Sequence, residues 1–161
     1  MKQVAIHPIP PFYEKDSRIL ILGSFPSVKS RESCFFYGHA QNRFWQIIAR
    51  ADGTETPITL DEKKALLRRR GIALYDVLAA CEISGSADAS ITGACPTDLS
   101  SILQSAGIER ILCNGKTSFF YYQKFHQSLL SREAIALPSS SPANAAFSLD
   151  ALCAAWHPYL L

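Results

Sequence analysis

The side chains best suited to chemistry gather in two stretches, residues 23–45 and 137–148. The first, GSFPSVKSRESCFFYGHAQNRFW, sets Phe35, Phe36, Tyr37, Phe44 and Trp45 beside His39, Gln41 and Asn42, with Lys29, Arg31 and Arg43 interleaved. Aromatic faces that can stack on a base, amides that can bond its edge and cations that can meet phosphate are what nucleobase recognition uses. The same residues equally suit a hydrophobic core with Asn42 as a helix cap. In the second stretch, LPSSSPANAAFS, Ser139, Ser140 and Ser141 precede Pro142, Ala143 and Asn144. It reads as a turn. Its three hydroxyls would also suit a backbone phosphate, and the Pro-Ala-Asn tip could form a stiff probe.

Other chemistries find little support. Asn114-Gly115-Lys116-Thr117 looks like the end of a phosphate loop, but that motif needs another glycine where Arg110 stands. A plain strand–glycine–helix turn is left, whose backbone amides could hold one phosphate with Lys116 assisting. Five cysteines, the closest pair 14 residues apart, predict free buried thiols rather than disulfides or a metal site. His7, His39, His126 and His157 lack metal-ligand spacing, and no G-x-S-x-G elbow is present.

Elements that could position the two stretches alternate along the chain. Residues 18–23, 71–78, 110–114 and 133–137 read as short buried strands. Helices are expected from Asn42 onward, over 61–70, 99–106, 116–130 and 149–156. Residues 1–17 read as an irregular, proline-bearing arm, and 24–41 as a long loop. Strands alternating with helices predict a parallel α/β sheet covered on both faces, with function in the loops leaving the strands' carboxyl ends. Those loops follow Gly23, Tyr75, Asn114 and Leu137.

The 161 residues, 48% apolar and 19% charged, suit one domain with a sizeable core. No apolar run is long enough for a membrane span and the N-terminus lacks a signal-peptide core, so a cytoplasmic protein is expected. The net charge of +2 is unevenly spread, +5 over residues 1–70 and −3 over 71–161. This permits a nucleic-acid face without requiring one.

Together the two stretches resemble the uracil DNA glycosylase superfamily, specifically its hypoxanthine-DNA (DNA-deoxyinosine) glycosylase branch. The branch's first motif, strand–GSxPG followed by YxHPxNxFW, stands here as Gly23-Ser24-Phe25-Pro26-Ser27 and as residues 37–45. Its second, LPSxSPAN, stands at 137–144, and the GIALYDV and NGK segments also look like family features. The resemblance implies an α/β fold, a three-layer α/β/α sandwich around a four-stranded parallel sheet. It implies a single-domain, monomeric, monofunctional glycosylase without metal or cofactor, acting on a deaminated base in double- or single-stranded DNA.

By the same resemblance Asn42 is the catalytic residue, its amide carbonyl orienting the attacking water. Gly23, Ser24, Phe25, Pro26, Phe36, Tyr37, His39 and Asp76 would line the base pocket, and Asn114, Lys116, Ser139, Ser140, Ser141, Pro142, Ala143 and Asn144 would face DNA. Phe36 or Tyr37 is the candidate stacking platform, core packing being the alternative; Asp76 either reads the base edge or satisfies a loop. Several positions depart from the pattern. Ser24 stands where other branches carry a catalytic Asp or Asn, and Leu137 where some carry His; Ser27 replaces a glycine, and Ala40-Gln41 a Pro-Arg pair. No lysine lies where an imine-forming nucleophile is expected, so no lyase step is predicted. Hypoxanthine is the leading substrate; uracil or xanthine is the same-class alternative, and a catalytically inactive DNA-binding module the different-class one.

Overall fold

The computed structural model describes residues 2–161. Its first strand, β1 (Gln3–Ile6), lies in the segment expected to be irregular and corrects that expectation. Its outward side carries Val4 and Ile6, about three-quarters exposed, while the small Ala5 faces in, so the sequence shows none of the usual alternation. β2 (Ile19–Gly23) follows, every residue buried. The loop after it holds a short helix, α1 (Val28–Ser33), whose cap Ser27 accepts the Ser30 N–H at 3.2 Å. α2 (Phe44–Asp52) begins just past Asn42. α3 (Leu60–Arg70) opens on a full capping box between Thr59 and Glu62 and ends in three arginines, matching the helix dipole at both ends.

Next come β3 (Ile72–Asp76), β4 (Leu78–Ile83), β5 (Thr92–Pro96), α4 (Ser100–Ser105) and β6 (Arg110–Asn114). The helix expected over 116–130 is divided at His126 into α5 (Lys116–Phe125) and α6 (Gln127–Leu130). The buried His126 ring there donates from Nε2 to the Val77 carbonyl at 2.9 Å. β7 (Ile135–Leu137) and α7 (Leu149–Trp156) complete the order. No helix among the described residues is long and apolar enough to cross a membrane.

The central sheet is four-stranded and parallel, in the order β3-β2-β6-β7. Side chains of β2 alternate between two cores. Ile19 and Ile21 pack with Phe44, Ile47, Leu67 and Trp156 under α2, α3 and α7. Leu20 and Leu22 pack with Ile102 and Tyr122 of α4 and α5. That second face also carries a three-stranded antiparallel sheet, β1-β4-β5, which sequence patterning did not anticipate. The thiols of Cys81, Cys113 and Cys153 are buried as expected; Cys34 and Cys95 are instead exposed, on a helix end and on β5.

The topology places a crevice. From β2 the chain proceeds to β3 on one side, whereas β6 proceeds to β7 on the other. Connections leaving β2 and β6 therefore diverge, which is where α/β sheets bind ligands. Register brings Gly23 opposite Asp76 and Asn114 opposite Leu137, so four carboxyl-terminal strand ends share one rim.

Candidate active site

At the β2–β3 end, Gly23 is required by space. A Cβ there would stand 2.3 Å from Asp76 Oδ1 and 3.3 Å from the Tyr37 hydroxyl. No side chain larger than hydrogen fits without displacing the carboxylate. Tyr37 is held over this point in a left-handed backbone conformation, φ 54°, uncommon for a bulky residue. Its ring stacks on Phe44 at 4.0 Å between centroids, and its carbonyl accepts the Trp45 indole N–H at 3.2 Å. The phenol oxygen is buried with no hydrogen-bond partner among the described residues. Burial pushes this phenol well above its ordinary range, Asp76's charge adds to the shift, and Asn114 offsets part of it. Tyr37 therefore keeps its proton, and its oxygen and Asp76 Oδ1 approach the same point at Gly23 without bonding each other.

Asp76 is nearly buried and is gripped by His7 from the N-terminal segment. His7 Nε2 lies 2.7 Å from Asp76 Oδ2, with the side chains 2% and 5% exposed. The backbone N–H of Ile9 donates to His7 Nδ1 at 3.2 Å. Nδ1 is thus the acceptor, Nε2 carries the hydrogen, and Asp76 accepts it.

Asn42 stands at the other side of the crevice. Its Oδ1 accepts the Phe44 N–H at 2.9 Å, capping α2, and the Ser140 hydroxyl at 2.8 Å. Ser140 is fully buried. Its hydroxyl takes a hydrogen from Asn114 Nδ2 at 2.9 Å, and its own N–H donates to Asn114 Oδ1 at 2.9 Å. Each bond fixes the direction of the next, so a one-way chain runs from Asn114 through Ser140 to the Asn42 carbonyl. Both amides have one orientation each.

Arg43, beside Asn42, ties the two stretches together. Its guanidinium donates to the carbonyls of Ser141 (2.9 Å), Asn144 (3.0 Å) and Phe147, and its N–H donates to Ser140 O at 3.1 Å. Its residue type had suggested a cation for phosphate; here carbonyls take it up. The clamped loop is anchored further where the Trp156 indole donates to Pro138 O and Asn144 Nδ2 to Ser139 O. Pro142 and Ala143 stand exposed at its tip, and Lys116 is exposed nearby in sequence to Asn114.

Phe25, Pro26 and Phe36 are buried, Phe25 and Phe36 both in contact range of the His7 ring. Ser24 donates to Asp88 at 2.7 Å, fastening the loop after β2. His39 is half-buried, accepts the Gln41 N–H on Nδ1 and offers its carbonyl to the Asn42 N–H. Ser140 and Asn114, expected to face DNA, are instead engaged with each other and with Asn42. Sequence reasoning missed the roles of His7 and Arg43, whose partners lie 69 and about 100 residues away. No described group of three or more His, Cys, Asp or Glu is arranged to hold a metal ion. Two surface clefts, of about 230 and 280 Å³, lie between Thr54 and Arg69 and beside β1, away from this rim.

Comparison with known proteins bears on the whole chain. The family model of the uracil DNA glycosylase superfamily matches residues 10–158. A protein of Methanosarcina acetivorans named hypoxanthine DNA glycosylase is 33% identical over 141 residues, 86% of this chain and 88% of its own. One of Methanosarcina barkeri with the same name is 32% identical, covering 70% and 72%. A solution NMR structure from M. acetivorans, described as a candidate uracil DNA glycosylase, superposes with a TM-score of 0.80 at 28% identity. That match covers 98% of this chain and 99% of the other.

Proposed function

The chain belongs to the uracil DNA glycosylase superfamily and is a DNA glycosylase; we propose that it excises hypoxanthine from deoxyinosine, with Asn42 orienting the attacking water. The substrate reading is supported by the two relatives named for that activity. The mechanistic reading is carried by one observation, the orientation of the Asn42 amide at the crevice by Phe44 N–H and the Ser140 hydroxyl.

A duplex base must leave the stack to be reached, and a weakly paired inosine does so at lower cost than a matched base. The bond from C1′ to the base breaks, its electron pair leaving with the base, and the sugar acquires oxocarbenium character. Water then bonds C1′ on the opposite face, and its surplus proton ends on the departed base. An amide is no strong base, so Asn42 acts by aligning water on an electrophile already formed. Its carbonyl already accepts two donors. Water joins it when the Ser140 hydroxyl turns aside, the residue itself staying in place through Ser140 N–H to Asn114 Oδ1. DNA would meet the exposed side of the same rim, at Lys116, Ser139, Ser141 and the 142–144 tip.

Single-turnover assays on duplexes with one inosine, uracil or xanthine, followed by alkaline cleavage of abasic sites, test this reading. Inosine is expected to react fastest. Uracil is the second candidate, because the solved neighbour is described in those terms. Asn42→Ala is expected to slow release by about two to three powers of ten. An unchanged rate removes Asn42 from the mechanism. DNA binding without release of any base would identify an inactive binding module.

A further inference from the structure

We infer that His7 is a specificity-setting positioning residue: by donating to Asp76 Oδ2 it commits Asp76 Oδ1 to accepting, so that the pocket takes a base edge with a ring N–H beside a carbonyl. The inference rests on the reading that Gly23, Tyr37 and Asp76 line the base pocket.

The geometry leaves His7 one protonation pattern. Ile9 N–H points at Nδ1, so a hydrogen on that nitrogen would face another hydrogen; only Nε2–H, directed at Asp76, satisfies both contacts. Asp76 therefore meets His7 as an acceptor. Its second oxygen is seated against Gly23, 2.3 Å from where a Cβ would stand, and the Tyr37 hydroxyl, which has no hydrogen-bond partner among the described residues, lies 3.3 Å from the same point. One acceptor and one donor, side by side and nearly dry, read two adjacent groups on a base. Asp76 Oδ1 accepts from a ring N–H, and Tyr37 donates to the neighbouring carbonyl. Hypoxanthine, xanthine and uracil all present that pair.

Adenine and cytosine present its inverse, a bare ring nitrogen beside an amino group. Against them the site sets acceptor to acceptor and donor to donor, and buried mismatches of this kind reject more strongly than lost contact area does. Guanine and thymine share the accepted edge, so their exclusion falls to contacts around the guanine 2-amino group and the thymine 5-methyl group. His7 makes the pattern one-directional. Without it the carboxylate loses its anchor and an amide at this position could turn, so the placement and the polarity of the reader would no longer be set.

Four variants test this by single-turnover release from inosine duplexes, with melting temperatures measured alongside: His7→Leu, His7→Gln, Asp76→Asn and the double variant His7→Leu/Asp76→Asn. His7→Leu is expected to slow release about 10- to 100-fold, and His7→Gln, whose amide reaches Asp76 as Nε2 does, to recover most of it. In Asp76→Asn, His7 holds the amide oxygen toward itself and turns the NH2 toward the base N–H, so the loss exceeds that of His7→Leu. Removing His7 as well lets the amide turn over, and the double variant is expected to be faster than Asp76→Asn alone. A double variant no faster than Asp76→Asn, or His7→Gln no better than His7→Leu, overturns the inference. ¹⁵N shifts of the wild-type His7 ring give a check that needs no variant: Nε2 protonated and Nδ1 accepting is expected, and the reverse overturns it. A wild type that releases no base refutes the glycosylase reading and this inference together, whereas an active wild type without the rescue refutes the inference alone.

Discussion

Arg43→Met removes the guanidinium that joins the two functional stretches while keeping an unbranched stem of similar reach. Three carbonyls, of Ser141, Asn144 and Phe147, lose their donor at once. A hydrogen bond from a charged group contributes about 1.5–3 kcal/mol. The three do not simply add, since the loop is half-exposed and water re-solvates its carbonyls; a total of about 2–3 kcal/mol is the reasonable size. For a chain of this length that lowers Tm by about 4–12 °C. The protein stays folded at 25 °C, so any loss of rate there reflects geometry. Ser140 sits in the released loop and donates to Asn42, and a displacement on the order of 1 Å in such a positioning contact can cost about 10- to 100-fold. Single-turnover base release and a thermal melt, run on the same preparation, measure both effects. Arg43→Lys should recover less than half of either, because an ammonium cannot span three divergent carbonyls as a planar fork does. If Arg43→Met matches wild type in both Tm and rate, the clamp has no functional weight and the coupling of the two loops is refuted.

Other perturbations probe neighbouring contacts. Gly23→Ala places a methyl 2.3 Å from Asp76 Oδ1, so the carboxylate must move; base release should fall by at least about 100-fold with folding retained, and a rate near wild type would show that the seat of Asp76 against Gly23 is not needed. Ser140→Ala frees a lone pair on Asn42 while loosening its support. The expected loss is about 10-fold, and a loss as large as that of Asn42→Ala would contradict the mobile-hydroxyl mechanism. Burial holds the His126 imidazole below its ordinary value of 6.5. As pH falls through that value the unfolded chain takes up a proton that the folded chain does not, so stability falls with it. His126→Gln can keep a donor on Val77 O and should flatten the decline of Tm between about pH 7.5 and 5.5; equal slopes would refute the assignment.

The parallel sheet was legible because its strands are buried on both faces. Strands of that kind read as short continuous apolar runs, as ILILG, IALYD and RILCN do, each ended by a residue of the rim. Once the strands are placed, the rule that function gathers at their carboxyl ends identifies the loops. The antiparallel sheet had no such pattern. β5 is TGACP, exposed along most of its length, with a glycine in the left-handed region and a proline. β4 pairs with it through irregular register, and β1 turns its large apolar residues outward. These strands form because their backbones find partners, a tertiary cause that local patterning does not record.

The same distinction divides the site. Asn42, Ser140 and Asn114 are motif residues, legible as types, yet their arrangement differs from the expected division into one catalytic group and two DNA contacts. Fully buried, the Ser140 hydroxyl cannot serve a phosphate at the surface; it completes a relay whose direction is set by two backbone hydrogens, Phe44 N–H and Ser140 N–H. His7 was legible only as a scattered histidine, because its partner lies 69 residues away at the end of β3 and its tautomer depends on Ile9 N–H. In both halves of the crevice a main-chain N–H, which every residue but proline carries, decides which way a side-chain amide or imidazole points. Side-chain identity tells what a group can offer. The fold, by aiming those backbone hydrogens, determines whether it donates or accepts, and the proposed separation of one base edge from its inverse rests on that choice.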